Sequence, residues 1–326
     1  MKYVDQRATG SFGIARFSQE LGQHLVDFKH YKGAGSPFTP WDPFTLSFKI
    51  PADAEYFFST SVSGPFLSNV PYAICIHDLI QLDRPEQFSL AKRWYFRTIT
   101  WLIARRAHAV FTVSEFSKGR ICHHFGISPD KVFVLGNGVA EVFSPAPGGE
   151  GLQARQPYFF NYSGGKPHKN ITRLVEAFLS VASQLTQQLV IAGVYSDEFR
   201  RRYESSRVRF VGALNDADLV DYIRGATAVV FPSLYEGFGL PIVEAFACGT
   251  MVLTSDAASM PEVAQGHALL IDPLDTDAIA NGLLRLGKSS PLERREMSQP
   301  LPAVAKHYDW AKLGAKALQV INSYKR

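Results

Sequence analysis

Two glutamates, Glu236 and Glu244, stand eight positions apart, with Gly237 and Gly239 between them. The stretch reads Tyr235-Glu236-Gly237-Phe238-Gly239-Leu240-Pro241-Ile242-Val243-Glu244. Pro241 suits a first helical position and Gly249 a C′ stop, which predicts a helix over 242–248. Ile242, Val243, Ala245, Phe246, Ala247 and Cys248 make that helix apolar almost all round, so burial is expected. A carboxylate left unpaired there costs roughly several kcal/mol, so Glu244 needs partners, and ligand hydroxyls are good candidates. The glycines lead straight into a helix N-terminus, where backbone N–H groups can meet a phosphate. A plain capping loop is the structural alternative.

Four further segments carry candidate chemistry. Tyr162-Ser163-Gly164-Gly165-Lys166-Pro167-His168-Lys169-Asn170 follows an apolar run and precedes a helix starting near Ile171; two lysines and two glycines there suit a diphosphate or an ordinary basic turn. Thr9-Gly10-Ser11-Phe12-Gly13-Ile14-Ala15-Arg16-Phe17 opens a helix after a short strand, either as an anion-binding glycine turn or as a plain β–α turn; it is not a full dinucleotide fingerprint. His77-Asp78 ends the run Ile74-Cys75-Ile76, where active sites collect, although a lone histidine is more often structural. Residues 91–109 hold Lys92, Arg93, Arg97, Arg105 and Arg106 without an acid, together with Trp94, Tyr95, Phe96 and Trp101. Such a helix fits an anionic bilayer, and it equally fits a core helix with a solvated basic face.

These segments need a scaffold, and the chain alternates short apolar runs with helical stretches, the mark of α/β units with mostly parallel sheets. Candidate strands are 2–4, 56–58, 72–76, 109–113 and 132–135, then 158–162, 188–192, 208–211, 228–231 and 251–254. Between the two sets lies Phe143-Ser144-Pro145-Ala146-Pro147-Gly148-Gly149-Glu150-Gly151, which reads as a linker. Two doubly wound domains joined near residue 150 follow, with ligands expected beyond the carboxyl ends of the strands, in a central cleft that the domains face.

Bulk properties narrow the class. With 326 residues, 46% hydrophobic and 20% charged, the chain is an ordinary packed protein of two-domain size. A net charge of +4 is too little by itself to argue for nucleic acid, which is not expected as a partner, and it suits an anionic substrate or an anionic membrane surface equally well. Cys75, Cys122 and Cys248 form no CxxC, so neither a zinc site nor a disulfide framework is suggested, and a reducing cytoplasm is the simpler home. The first residues lack the apolar core of a signal peptide. No run of about 18 apolar residues occurs.

At these residues the sequence resembles the retaining GT-B glycosyltransferases of family 4. The glutamate pair matches the family's E-x7-E element. In order along the chain stand Asp5-x-Arg7 with Thr9-Gly10 and Gly13-Ile14-Ala15-Arg16-Phe17, Ile76-His77-Asp78-Leu79, Thr112-Val113-Ser114-Glu115-Phe116-Ser117, Gly136-Asn137-Gly138-Val139, Lys166-Pro167-His168-Lys169-Asn170, Phe231-Pro232-Ser233, Met260-Pro261-Glu262-Val263 and Tyr308-Asp309-Trp310. The resemblance implies an acceptor-binding domain at 1–150, a nucleotide-sugar-binding domain at 151–305, and a helix at 306–326 crossing back to the first. It implies that Glu244 binds the nucleotide ribose and Glu236 the donor sugar. The diphosphate would be held by Lys169, Gly13 and the amides of Phe238, Gly239 and Leu240, and the base would rest near Val211-Gly212. His77 would sit beside the reacting carbon, with Asp78 a weaker neighbour.

One position departs from the pattern: many members carry an arginine five residues before the phosphate lysine, where this chain has Gly164, leaving Lys166 or Arg16 to compensate. The nucleotide-sugar donor is a co-substrate, and neither a cofactor nor a metal is expected. The segments look most like mannosyl- and rhamnosyl-type enzymes of bacterial lipopolysaccharide or exopolysaccharide assembly. GDP-mannose is the first donor expectation, with dTDP-rhamnose or a UDP-sugar behind it. The expected acceptor is a saccharide or lipid-linked saccharide, and the expected location is the cytoplasm or the inner face of its membrane, with contact through 91–109. Competing classes are a non-catalytic nucleotide-sugar-binding relative and a pyridoxal-phosphate phosphorylase of the same architecture.

Overall fold

The computed structural model describes residues 1–10, 13–146 and 156–323. Ser11 and Phe12 of the first glycine loop, and residues 147–151 of the expected linker with its boundary at 150, lie outside the described residues.

Twelve strands are described: β1 (Lys2–Asp5), β2 (Phe28–Tyr31), β3 (Tyr56–Ser59), β4 (Tyr72–Cys75), β5 (Ala109–Thr112), β6 (Val132–Val134), β7 (Tyr158–Asn161), β8 (Gln188–Ala192), β9 (Val208–Gly212), β10 (Ala228–Phe231), β11 (Val252–Ser255) and β12 (Leu269–Ile271). The α-helices are α1 (Ile14–Gln23), α2 (Asp42–Lys49), α3 (Ile80–Asp83), α4 (Leu90–Tyr95), α5 (Trp101–Arg106), α6 (Glu115–Phe125), α7 (Ile171–Val181), α8 (Asp197–Tyr203), α9 (Asp216–Gly225), α10 (Leu240–Ala247), α11 (Met260–Ala264), α12 (Thr276–Lys288), α13 (Pro291–Ser298), α14 (Leu301–Ala305) and α15 (Trp310–Asn322).

The strands form two parallel six-stranded sheets, ordered β2-β1-β3-β4-β5-β6 and β12-β11-β10-β7-β8-β9. Each reverses direction once, at β1/β3 in the first sheet and at β7/β10 in the second. A crevice opens at such a switch point because the connections leave to opposite faces. The two strands absent from the expected set, β2 and β12, are both at sheet edges. Phe28-Lys29-His30-Tyr31 turns its two middle residues to water, so no continuous apolar run marks it.

The chain divides into two compact units, Met1–Gly138 with the segment from Asp309, and Val139–Tyr308. The first crossing therefore falls before the Pro-Gly cluster. Phe143 is buried, and the Arg224 guanidinium of α9 donates to the Ser144 carbonyl at 2.8 Å, tying these residues to the second unit. In the first unit, Phe57, Ile74, Val110, Ile121 and Ile103 meet in one core. In the second, Phe159, Leu189, Ile191 and Leu253 of the sheet meet Leu174 and Phe178 of α7 and Leu283 and Leu286 of α12.

The final helix, α15, belongs to the first unit. Asp309 caps it by accepting the Lys312 amide at 3.0 Å, and Trp310 meets Phe17 of α1 edge-on at 5.7 Å. Gly314 permits this close packing, since a β-carbon there would stand 2.6 Å from His24 Cβ.

The basic stretch 91–109 is not one helix. It runs as α4, a π turn at Phe96–Thr100, and α5, then enters β5 at Ala109. Ile103 and Ala104 of α5 are buried, and Trp101 Nε1 donates to the Phe125 carbonyl at 3.1 Å. The second half of the stretch is thus core, with Arg105 and Arg106 on its wet side.

Candidate functional site

In the second unit, α10 starts at Leu240, with Gly239 as its N-cap at φ 98°. Pro241 is therefore the second helical residue, one later than expected. Gly249 follows the C-cap at φ 75°, the left-handed C′ conformation that glycine adopts without a Cβ clash. The helix is buried from Ile242 to Ala247, Glu244 included. Part of the Glu244 requirement is met internally, because the Tyr162 hydroxyl donates to Glu244 Oε2 at 2.9 Å. A carboxylate offers about four acceptor positions, so a tyrosine hydroxyl does not exhaust it.

Glu236, on the loop between β10 and α10, accepts from Lys169 Nζ at 2.7 Å, with the two side chains 14% and 17% exposed. Lys169 leaves the sheet after β7 and Glu236 after β10, so this ion pair spans the topological switch point. The Lys169 ammonium also lies 5.5 Å from the Phe231 ring centroid.

Long-range hydrogen bonds hold the two loops. Asn170, in the left-handed region at φ 61°, donates from Nδ2 to the carbonyls of Pro232 at 3.0 Å and Pro273 at 2.7 Å. The Leu234 amide donates to the His168 carbonyl at 2.7 Å. Fully buried Ser259 sets its single Oγ–H between two carbonyls, those of Phe238 at 2.8 Å and Glu236 at 3.0 Å. With those carbonyls bound from behind, the loop enters α10 in a set path; Pro241 has no amide hydrogen and the Ile242 amide donates to the Gly239 carbonyl at 3.0 Å, so the amides open to a ligand by position are those of Gly239 and Leu240. Tyr308 closes the far side, its ring 5.7 Å from Phe238.

Lys166 is exposed at the start of the Pro167–Lys169 turn. It lines an open groove of about 750 Å³ with Tyr195, Ser196 and Phe199, and Lys169, Glu236 and Glu244 are not among the groove's lining residues. Gly164 has φ 79° and nothing within 4 Å of an added β-carbon, so space is available but the backbone disfavours a side chain. Val211 and Gly212 end β9, two strands from β7, and the Gly212 carbonyl accepts the Gly193 amide at 2.6 Å.

In the first unit, Gly13 is the N-cap of α1 at φ 60°, and Arg16 is buried in the helix's first turn. His77 follows β4. Its Nε2 lies 3.1 Å from the Thr60 carbonyl, which can only accept, so Nε2 carries the proton. The ring meets Phe17 of α1 edge-on at 4.6 Å. Burial lowers the His77 pKa to about 4 against the opposing pull of the Thr60 carbonyl, so the imidazole is neutral at pH 7. Thr60 Oγ1 lies 2.9 Å from Ser18 Oγ and 3.2 Å from the Asp5 carbonyl. Ser117 Oγ of α6 donates to the His77 carbonyl at 3.1 Å. These buried hydroxyls tie the carboxyl ends of β1, β3 and β4 to α1 and α6. Asp78 Oδ1 accepts the Ile80 amide at 3.1 Å, a local capping contact at the start of α3.

Tyr162, Ser259, Ser18 and Thr60 were given no role by sequence reasoning. Ser259 directly precedes the Met260-Pro261-Glu262-Val263 segment, the nearest available signal; hydroxyl-to-carbonyl bonds across such separations leave no local pattern.

Known proteins place this geometry in a class. The family described as "Glycosyl transferases group 1" matches residues 146–299, and "Glycosyltransferase Family 4" matches 52–143. The O-antigen chain mannosyltransferase B of Escherichia coli is 30% identical over 265 residues, covering 76% of this chain and 68% of that protein. The serotype-specific mannosyltransferase WbdA of E. coli is 27% identical over 285 residues, 80% of this chain but only 34% of that longer protein. Anabaena Alr3699/HepE, solved in complex with UDP-glucose, matches in structure with a TM-score of 0.79 at 16% identity, covering 99% of this chain and 100% of that one. Two parallel doubly wound sheets with this structural likeness define a GT-B protein. The chain belongs to glycosyltransferase family 4, as a hexosyltransferase.

The neutral His77 has a consequence for stability. Its folded pKa is below the unfolded value of 6.5, so the unfolded chain binds the extra proton first. The stabilisation is present above about pH 6.5 and is lost as pH falls toward 4. Chemical denaturation across this window is expected to show a falling midpoint, with a shallower fall in His77→Gln; identical slopes would refute the assignment.

Proposed function

We propose that this enzyme moves a mannosyl residue from GDP-mannose to a saccharide or lipid-linked saccharide acceptor, with retention, in surface polysaccharide assembly. The observation that carries the site assignment is the Lys169–Glu236 pair across the β7/β10 switch point, followed at once by the N-terminus of α10 and by Glu244. On this reading Glu244 takes the ribose hydroxyls, Glu236 the donor-sugar hydroxyls, and Lys169 turns to the diphosphate together with the amides of Phe238, Gly239 and Leu240. Gly13 and Arg16 of the first unit add to phosphate binding, and the base rests near Val211. Lys166 has the weaker support, since it lines the groove beside Tyr195.

The chemistry follows from charge. The bond from the anomeric carbon to the diphosphate oxygen breaks, and negative charge gathers on the departing phosphate. The Lys169 ammonium and the helix N-terminus stabilise it without requiring a metal. The acceptor hydroxyl attacks the same face of the sugar, and its proton passes to the departing phosphate oxygen. A neutral His77, its Nε2 proton engaged by Thr60, cannot act as a cationic acid; it serves by shape and polarity beside the donor sugar.

Mannose is supported by the names of the E. coli relatives, while the UDP-glucose complex of the Anabaena protein makes UDP-sugars the natural comparison. The uncrosslinked Cys75, Cys122 and Cys248 suit a reducing cytoplasm, and a lipid-linked acceptor draws the enzyme to the membrane's inner face.

Lys169→Ala and Glu236→Ala are each expected to lower transfer by at least about tenfold; near-normal rates for both would remove the site assignment. Treatment with EDTA is expected to leave activity intact, and full loss restored by added metal would overturn the metal-free mechanism. Melting curves with GDP, UDP and dTDP are expected to show the largest upward shift with GDP, because a ligand that binds the folded state stabilises it by mass action. A larger shift with UDP or dTDP transfers the donor assignment to that nucleotide.

A further inference from the structure

Three segments of the family pattern have no place yet in the donor site: Gly136-Asn137-Gly138-Val139, Met260-Pro261-Glu262-Val263 and Tyr308-Asp309-Trp310. They come together at Tyr308, the last residue of the second unit. The Tyr308 carbonyl accepts the amide of Val139, the unit's first residue, at 2.9 Å. The Tyr308 hydroxyl donates to the Val263 carbonyl at 2.7 Å and accepts from Gln265 Nε2 at 2.8 Å. Burial pushes the Tyr308 phenol up to about 12, the Gln265 bond pulling against it and the Glu262 carboxylate adding to it. The hydroxyl is therefore protonated near neutral pH and able to donate. Gln265, at φ 48°, is the C-cap of α11, so the Tyr308 ring is anchored to the end of that helix.

The ring's edge-on contact is with Phe238, at 5.7 Å and 81°. Phe238 is buried and stands between Gly237 and Gly239. The two glycines offer no side chain to grip, and they leave the backbone more freedom than any other residue does. Phe238 is thus the one handle on the loop between Glu236 and Leu240. The short helix α11 holds it from both ends. Ser259, at the head of α11, engages the Glu236 and Phe238 carbonyls. Val263 and Gln265, at its tail, fix the ring that lies against the Phe238 side chain. A swing of that side chain would turn the backbone and re-aim the next two amides.

We propose that Tyr308 is a positioning residue for sugar transfer: its ring holds Phe238 so that the Gly239 and Leu240 amides point at the departing diphosphate. The role rests on the donor reading of the α10 head. Aromatic pairs favour this edge-on geometry, and a rigid donor pair needs no reorganisation as charge develops. The contribution is therefore expected to grow from the bound donor to the transition state.

The test compares wild type, Tyr308→Leu and Tyr308→Phe by amide hydrogen exchange without nucleotide, and by turnover of GDP-mannose read as released GDP. Tyr308→Leu is expected to speed exchange over 237–240 at least about tenfold, with β7 and β10 exchanging as in the wild type. It is expected to lower kcat at least about tenfold while KM for GDP-mannose stays within about threefold. Tyr308→Phe keeps the ring and is expected within about threefold of the wild type by both measures. Wild-type exchange and kcat in Tyr308→Leu, or an equal loss in Tyr308→Phe, would overturn the proposal. If Tyr308→Leu melts early, Phe238→Leu breaks the same contact from the loop side, and the same split is expected. The double variant Tyr308→Leu/Phe238→Leu is expected to lose no more than the worse single variant, whereas additive losses would count against the pairing. Lys169→Ala separates the two readings. If it loses turnover and Tyr308→Leu does not, the positioning role alone fails. If both turn over normally, the donor site itself is misassigned, and the exchange rates still decide whether Tyr308 holds the loop.

Discussion

Parallel pairing of β7 with β10 is the constraint on which the second unit's site depends. Ala228 and Val229 pair with Phe159 and Phe160, and where the ladder ends, buried Asn161 extends it by donating from Nδ2 to the Val230 carbonyl at 2.8 Å. The chain then leaves these two strands toward opposite faces, one path leading to Lys169 and the other to Glu236. Their ion pair is a product of that crossing. Without the pairing, two residues separated by 67 positions would have no reason to meet.

Around this crossing the fold uses buried hydroxyl and amide groups as fasteners. Ser259, Asn170 and Asn161 each spend side-chain donors on carbonyls of the strand ends and loops, which fixes the path of the chain into α10. In the first unit Ser18, Thr60 and Ser117 do the same around His77. The two units share a strategy: a parallel sheet supplies position, and side chains from other elements set the curvature of the loops above it.

Much of this was legible along the chain. The long apolar runs marked the inner strands, and the positive-φ positions Gly13, Gly239 and Gly249 were readable as turns and caps. The glutamate spacing pointed to α10 and to the need to satisfy Glu244. The edge strand β2 was missed because its two middle residues face water and break the apolar run, whereas β12, Leu269-Leu270-Ile271, is a short apolar run that the reading passed over. The stretch 91–109 read as one basic helix, and the π turn at Phe96–Thr100 that divides it leaves no mark in composition.

The sequence by itself determined the local matters: which inner segments are strands, where glycine permits a reversal, and which carboxylate must be buried, because these depend on neighbours within a few positions. Only the tertiary structure decided that Tyr162 answers Glu244, that Lys169 meets Glu236, and that His77 is held neutral against Thr60. Those outcomes depend on strand order and on the direction each crossover takes, and no short window of residues encodes either.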